Sequence, residues 1–197
     1  MSVSVIIPTC RRESLRRSVA YAIAQDYVGD LEIIIEDTPI HDDCTVISKA
    51  RNAAVAKSKN EWLAFLDDDD WWYPNYLSLG TAMDADIVVS NSMFVGADIG
   101  DIPYIVKQGE SVSGASGIMM HWYAFDELGG FDEMLPHSEC WDILYRAAHA
   151  GMTIAYQPIK ALEFGRGSKR HASHFFSYTK IAVDKIKWMR EYENHAA

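Results

Sequence analysis

Asp67-Asp68-Asp69-Asp70 follows directly on the apolar run Trp62-Leu63-Ala64-Phe65-Leu66. Four adjacent carboxylates repel one another, and placing them at the end of a buried strand raises that cost. A divalent cation would offset it. Mg²⁺ and Mn²⁺ take oxygen ligands, and Mg²⁺ is typically held by one or two carboxylates together with substrate phosphates. In an extended segment alternate side chains share a face, so Asp67 and Asp69 are expected to point into one cleft. The competing reading is a solvated acidic turn or helix start. The position after a strand and before Trp71-Trp72-Tyr73-Pro74 favours the metal.

Two more apolar runs end in polar residues suited to a nucleoside diphosphate. Val3-Ser4-Val5-Ile6-Ile7 ends at Pro8-Thr9 and leads into Arg11-Arg12, and Leu31-Glu32-Ile33-Ile34-Ile35 ends at Glu36-Asp37. Open α/β sheets bind ligands beyond the carboxyl ends of their strands. A basic stretch, Arg166-Gly167-Ser168-Lys169-Arg170-His171, lies near the far end of the chain. Its glycines, with Gly165, suit a loop that orders when a ligand binds. Arg16 and Arg17 read as a solvated face.

These residues need a scaffold. Strands are expected at 3–7, stopped by Pro8, and at 31–35, 62–66 and 87–89. A helix is expected over 12–24 with Leu15, Val19 and Ile23 on its inner face. A second runs through 50–56 with Asp42 or Asp43 as its cap, and a third from Pro74 to about residue 83. This alternation predicts a mainly parallel α/β sheet with helices on both faces. Residues 91–120 read as hairpins and loops. Short helices are expected at 122–129, ending at Gly129-Gly130, and around Trp141, Leu144, Tyr145 and Ala148, ending at Gly151. A strand over 153–156 and an amphipathic helix over 174–192 complete the prediction. One domain over 1–197 is expected, with a nucleotide half at 1–95 and an acceptor half at 96–197.

Five segments together resemble the family 2 glycosyltransferases, whose fold is the GT-A type. They are Val3-Ser4-Val5-Ile6-Ile7-Pro8-Thr9, Glu32-Ile33-Ile34-Ile35-Glu36-Asp37, Ala50-Arg51-Asn52-Ala53-Ala54, Phe65 to Asp70 with Trp72 and Pro74, and Gly129-Gly130-Phe131-Asp132-Glu133. They occur in the family's order and cover residues 3 to about 145. The resemblance implies a Rossmann-like GT-A domain that moves a sugar from a nucleoside diphosphate sugar, UDP-sugar favoured, to an acceptor hydroxyl with inversion. It implies Mn²⁺ or Mg²⁺ as cofactor. It places Pro8, Thr9 and Arg12 beside the nucleotide, Asp37 on the base, and Arg51 on base or ribose. Asp67 and Asp68 would lie near the donor, Asp69 with Asp70 on the metal, and Arg170 and His171 over the diphosphate, His171 as a metal or phosphate contact.

The base that takes the acceptor's proton is where the chain departs from that family. The usual acidic pair before Trp-Asp is here Glu139-Cys140-Trp141-Asp142, which puts Cys140 at the usual base position. A thiol of ordinary pKa near ~8.5 is a poor substitute for a carboxylate. Glu139 is the first candidate, Asp142 the second, and His137 a third.

Two rival readings stay open. A nucleotidyltransferase would share the fold and the metal carboxylates, but Pro8-Thr9-Cys10-Arg11-Arg12 has no glycine for a phosphate loop. A donor-binding protein with weak catalysis is the other, because of Cys140. The net charge of −10 argues against a nucleic-acid partner. A glycan or lipid-linked glycan is the expected acceptor. The three cysteines, at 10, 44 and 140, are odd in number and lack zinc spacing. With no signal-peptide pattern and no apolar run of membrane-spanning length, the chain is expected in the cytoplasm.

Overall fold

A computed structural model describes residues 1–10, 13–37, 46–90, 114–135, 139–157 and 162–163. In chain order the elements are β1 (Ser2–Thr9), α1 (Leu15–Ile23), β2 (Asp30–Asp37), α2 (Val46–Val55), β3 (Trp62–Phe65), β4 (Trp71–Trp72), α3 (Tyr76–Thr81), β5 (Ile87–Ser90), β6 (Ile118–His121), α4 (Trp122–Glu127), α5 (Glu139–His149), β7 (Ile154–Gln157) and β8 (Leu162–Glu163). The main sheet has six strands in the order β2-β1-β3-β6-β5-β7. The β1–β2, β1–β3 and β5–β7 pairs are parallel, and β6 is antiparallel to both neighbours. β4 and β8 form a separate antiparallel pair. The fold is therefore mixed α/β with a mostly parallel sheet, as expected.

The period-two pattern of the strands divides the core between the two faces. Val3, Val5 and Ile7 of β1, with Trp62, Ala64 and Leu66 around β3, pack with Ala22 of α1 and Tyr76 and Leu77 of α3. Ile6, Leu63 and Phe65 point the other way, into a cluster with Ala54 and Val55 of α2, Phe125 of α4 and Ile143 and Leu144 of α5. Helices thus cover both faces, and all the parallel strands end on one edge of the sheet.

Four local differences from the sequence expectation bear on that edge. β1 continues through Pro8, so that Thr9 pairs with Asp37; the pairing with β3 stops at Ile6, so Pro8 is paired on the β2 side alone, an edge-like position that tolerates a missing N–H donor. α1 buries Ser18 and Ala22, while Ile23 is 65% exposed. The buried serine is explained by its hydroxyl, which donates to the Asp70 carbonyl at 2.6 Å. β6 is a central strand in a region expected to be hairpins. Its apolar residues are too few to show a period. Finally, the four aspartates are not extended: Asp70 N–H donates to Asp67 C=O at 3.2 Å, closing a turn. The expected helix caps Asp42 and Asp43, all of 91–113 and the 174–192 helix lie outside the described residues.

Candidate active site

The acidic turn lies where β1, β3 and the start of β6 meet. Leu66 N–H donates to Ile6 C=O at 3.0 Å and carries the β1–β3 pairing one residue further. On the other side, Ala64 opposes Met119. Extending that antiparallel register brings Ser116 opposite Asp67, and Ser116 Oγ accepts Asp67 N–H at 2.9 Å.

Burial alternates along the turn. Asp68 and Asp70 are 4% and 5% exposed, while Asp67 and Asp69 are half-buried. Each deeply buried carboxylate accepts a hydroxyl hydrogen bond: Thr9 Oγ1 to Asp68 Oδ2 at 2.7 Å, and Ser116 Oγ to Asp70 Oδ2 at 2.5 Å. Burying an ionised carboxylate without such donors is expensive. Arg17 crosses the turn from α1. Its guanidinium sits 4.2 Å from the Trp71 ring centre and donates to the Asp69 carbonyl at 3.3 Å. Arg17 is thus engaged beside the acidic turn, although its sequence setting reads as a solvated face.

Arg51 links the acidic turn to α5. Its Nη2 meets Asp67 Oδ1 at 2.7 Å and its Nη1 meets Glu139 Oε1 at 2.6 Å. Arg51 is 2% exposed, and its Nε has no hydrogen-bond partner among the described residues. Desolvation works against such a buried charge. Here two carboxylates outweigh it: burial alone lowers the Arg51 pKa, and Asp67 and Glu139 push it above the ordinary arginine range. Glu139 shows the same balance. Burial raises its pKa, and the Arg51 guanidinium brings it below the ordinary 4.5. Cys140, next to it, is buried, and its thiol donates to Glu139 Oε1 at 3.3 Å. Burial, then the Glu139 charge, pushes that thiol well above the ordinary value, so it stays protonated.

The lowered Glu139 value carries a prediction about acid stability. The unfolded chain takes up the proton at a higher pH than the folded one. The stabilisation is present above the unfolded value and is lost as pH falls through the folded value. Chemical denaturation between about pH 7 and about pH 3 is expected to show an acid loss that Glu139→Gln lacks in part. Parallel curves for the two proteins would contradict it.

Asn52, beside Arg51, ties α2 to the glycine turn. Its Nδ2 donates to Phe131 C=O at 2.9 Å and to Glu133 Oε1 at 3.0 Å, and its Oδ1 accepts Phe131 N–H at 3.0 Å. Gly130 has φ +74°, and a Cβ there would lie 2.9 Å from Asn52 Oδ1. Glycine is therefore required on two counts. On the far side of the turn Arg146 donates to Leu128 C=O at 2.5 Å and to Gly130 C=O at 2.8 Å, and is held by Asp142 Oδ2 at 2.8 Å. Asp142 is 3% exposed. Its carboxylate serves this clamp, an arrangement that fits the structural alternative for that residue.

The structure joins Glu139, Arg51, Asp67 and Asp70 through Ser116 into one network of hydrogen bonds and ion pairs, and it pairs Thr9 with Asp68 in the same turn. Asp69 lies within the same turn. Pro8 is buried near the end of β1, and Asp37 stands exposed at the adjacent strand end. Arg12, His137, Arg170 and His171 lie outside the described residues. Sequence reasoning misses Ser116, Ser18 and Arg17. Ser116 stands 46 residues beyond Asp70, with no motif to mark it.

The aspartate oxygens of this turn suit a hard divalent cation. Among the described residues, no group of three or more His, Cys, Asp or Glu side chains could hold a metal ion by itself. The donor set fits a cation that takes its remaining ligands from phosphates and water.

Residues 40–105 match the profile described as Glycosyl transferase family 2. WcaA of Escherichia coli strain K12, assigned as a colanic acid biosynthesis glycosyl transferase, is 30% identical over 99 residues. That alignment covers 39% of this chain and 36% of WcaA. Among solved structures, residues 1–349 of S. aureus TarS in complex with UDP-GlcNAc superpose with a TM-score of 0.67 at 14% identity, covering 94% of this chain and 66% of TarS 1–349. The mannosyltransferase PcManGT from Pyrobaculum calidifontis, in complex with GDP-Man and Mn²⁺, gives 0.64 at 13% identity, covering 87% of this chain and 59% of its own. The chain therefore spans about a third of its curated relative and about two thirds or less of these structures, whose likeness shows a common GT-A fold.

Proposed function

We propose that this chain is a glycosyl transferase of family 2 that transfers a sugar from a nucleoside diphosphate sugar to an acceptor hydroxyl with the help of Mn²⁺ or Mg²⁺. The observation that carries this is the acidic turn: two carboxylates deeply buried and bonded by hydroxyls, two more accessible, beside Arg51 at the carboxyl ends of parallel strands. When bound, the metal would stabilise the charge of the departing nucleoside diphosphate.

In this reading Asp69, with Asp70 next to it, would hold the metal, and Asp67 and Asp68 would lie near the donor. Pro8, Thr9 and Arg12 border the nucleotide, Asp37 accepts a hydrogen bond from the base, and Arg51 reaches base or ribose. Arg170 and His171 close over the diphosphate. The acceptor oxygen bonds to the anomeric carbon as the bond to the diphosphate oxygen breaks, and Glu139 takes the hydroxyl proton. Direct displacement inverts the anomeric centre. A UDP-sugar is the favoured donor, since TarS of the same fold is seen with UDP-GlcNAc. A glycan or lipid-linked glycan is the acceptor. The free thiols Cys10 and Cys140 fit a reducing cytoplasm. Among the described residues no helix is long and apolar enough to cross a membrane.

Incubation with Mn²⁺ and a panel of UDP- and GDP-sugars tests the proposal. Slow release of free nucleoside diphosphate, quenched by a chelator, is expected. Pyrophosphate release from a nucleoside triphosphate and a sugar phosphate would replace it with nucleotidyl transfer. Binding without turnover under every condition would leave only a donor-binding role.

A further inference from the structure

Four consecutive carboxylates do not themselves decide which of them face a ligand. In a turn, a small rotation would exchange the buried pair for the accessible pair. The residue that opposes this exchange comes from another part of the chain. Ser116 is fully buried in the 3-10 turn Ala115–Gly117 just before β6. Its hydroxyl accepts Asp67 N–H at 2.9 Å and donates to Asp70 Oδ2 at 2.5 Å, so that one oxygen grips both ends of the turn. Its carbonyl accepts Trp72 Nε1–H at 2.8 Å, and Trp72 stacks on Tyr76 with ring centres 4.2 Å apart. The serine is therefore anchored on the side away from the carboxylates by a fully buried indole.

The donor and acceptor count makes the hydroxyl specific. An ionised carboxylate only accepts and a backbone N–H only donates, so the group between them must do both. A hydroxyl does so with one atom. Alanine would leave Asp67 N–H without this acceptor and deprive Asp70 of a hydroxyl donor.

We infer that Ser116 is a positioning residue: it holds Asp70 inward and Asp67 in register, and so presents Asp69 and Asp67 to the metal and the donor phosphates. This rests on the glycosyltransferase reading of the same turn. Residues that orient metal ligands in this way typically cost 10–100-fold in metal affinity when removed.

The test is titration calorimetry of UDP and of GDP, each with and without Mn²⁺, on the wild-type chain, Ser116→Ala and Ser116→Thr. Ser116→Ala is expected to weaken the Mn²⁺-dependent part of nucleotide binding by roughly 10-fold or more, leaving metal-free binding within about 3-fold. Ser116→Thr, which keeps the hydroxyl, is expected to restore most of it. Should Ser116→Ala fail to fold, Ser116→Cys, whose thiol is a weak donor, replaces it with the same expectation. A folded variant lacking the hydroxyl that matches wild type in Mn²⁺-dependent affinity overturns the inference and leaves the proposed function standing. A wild-type chain that binds neither nucleotide with Mn²⁺ removes both.

Discussion

Asp69→Asn is expected to abolish Mn²⁺-dependent binding of a nucleoside diphosphate sugar, with a loss on the order of 100-fold or more, beyond what outer partners of a metal site usually contribute. The four aspartates are not equivalent. Asp68 and Asp70 already accept hydroxyl hydrogen bonds from Thr9 and Ser116, and Asp67 is paired with Arg51. Asp69 is half-buried, and its peptide carbonyl is fixed by Arg17. Asparagine keeps the shape and one oxygen but removes the negative charge that a divalent cation needs. The fold should not suffer, since one member of a mutually repelling set is neutralised. Calorimetry with Mn²⁺ and a UDP-sugar, beside thermal melting, checks both parts. Retained metal-dependent affinity would move the ligand to another aspartate. A large fall in melting temperature would mean that Asp69 holds the fold rather than the cation.

The difference among these aspartates marks the boundary of what the sequence discloses. Local signals are strong where chemistry and period coincide. The apolar runs of β1 and β3 place the ends of the strands, and Gly129-Gly130 announces a turn that their positive φ values require. The motifs also prove to be joined in space. Arg51 of one reaches Asp67 of another, and Asn52 grips the glycine turn of a third. A linear reading cannot show that, because each partner's identity is set by sheet order. β6 is the clearest case. Its insertion between β3 and β5 brings Ser116 to the aspartates, and nothing in three apolar residues and a histidine predicts an antiparallel strand at the centre of a mostly parallel sheet. Ser18 and Ile23 are instructive in the same way. Helical spacing favours Ile23 inward, but a carbonyl needing a donor places Ser18 there instead.

Glu139→Gln is expected to lower kcat by about 10²- to 10⁴-fold, the usual scale for loss of a general base, and to leave donor affinity within a few-fold. The separation follows from geometry. Glutamine retains an oxygen for Arg51 Nη1, so the Arg51–Asp67 contact at 2.7 Å should persist. What is lost is the ability to accept a proton. The same contact raises an objection: a carboxyl held below 4.5 by a guanidinium is ionised at neutral pH but is a weak base. Donor binding resolves it if the nucleotide engages Arg51. Glu139 would then lose its strongest counter-charge while remaining buried, and desolvation would push its pKa upward. Since kcat/KM reports ionisations of the free enzyme and kcat those of the complex, the acid limb of kcat should fall at higher pH than that of kcat/KM. Coincident limbs would mean that Arg51 keeps its hold on Glu139 throughout the reaction. Undiminished turnover in Glu139→Gln would transfer the role to His137 or to Asp142, and Asp142 would first have to leave Arg146, which it holds at 2.8 Å.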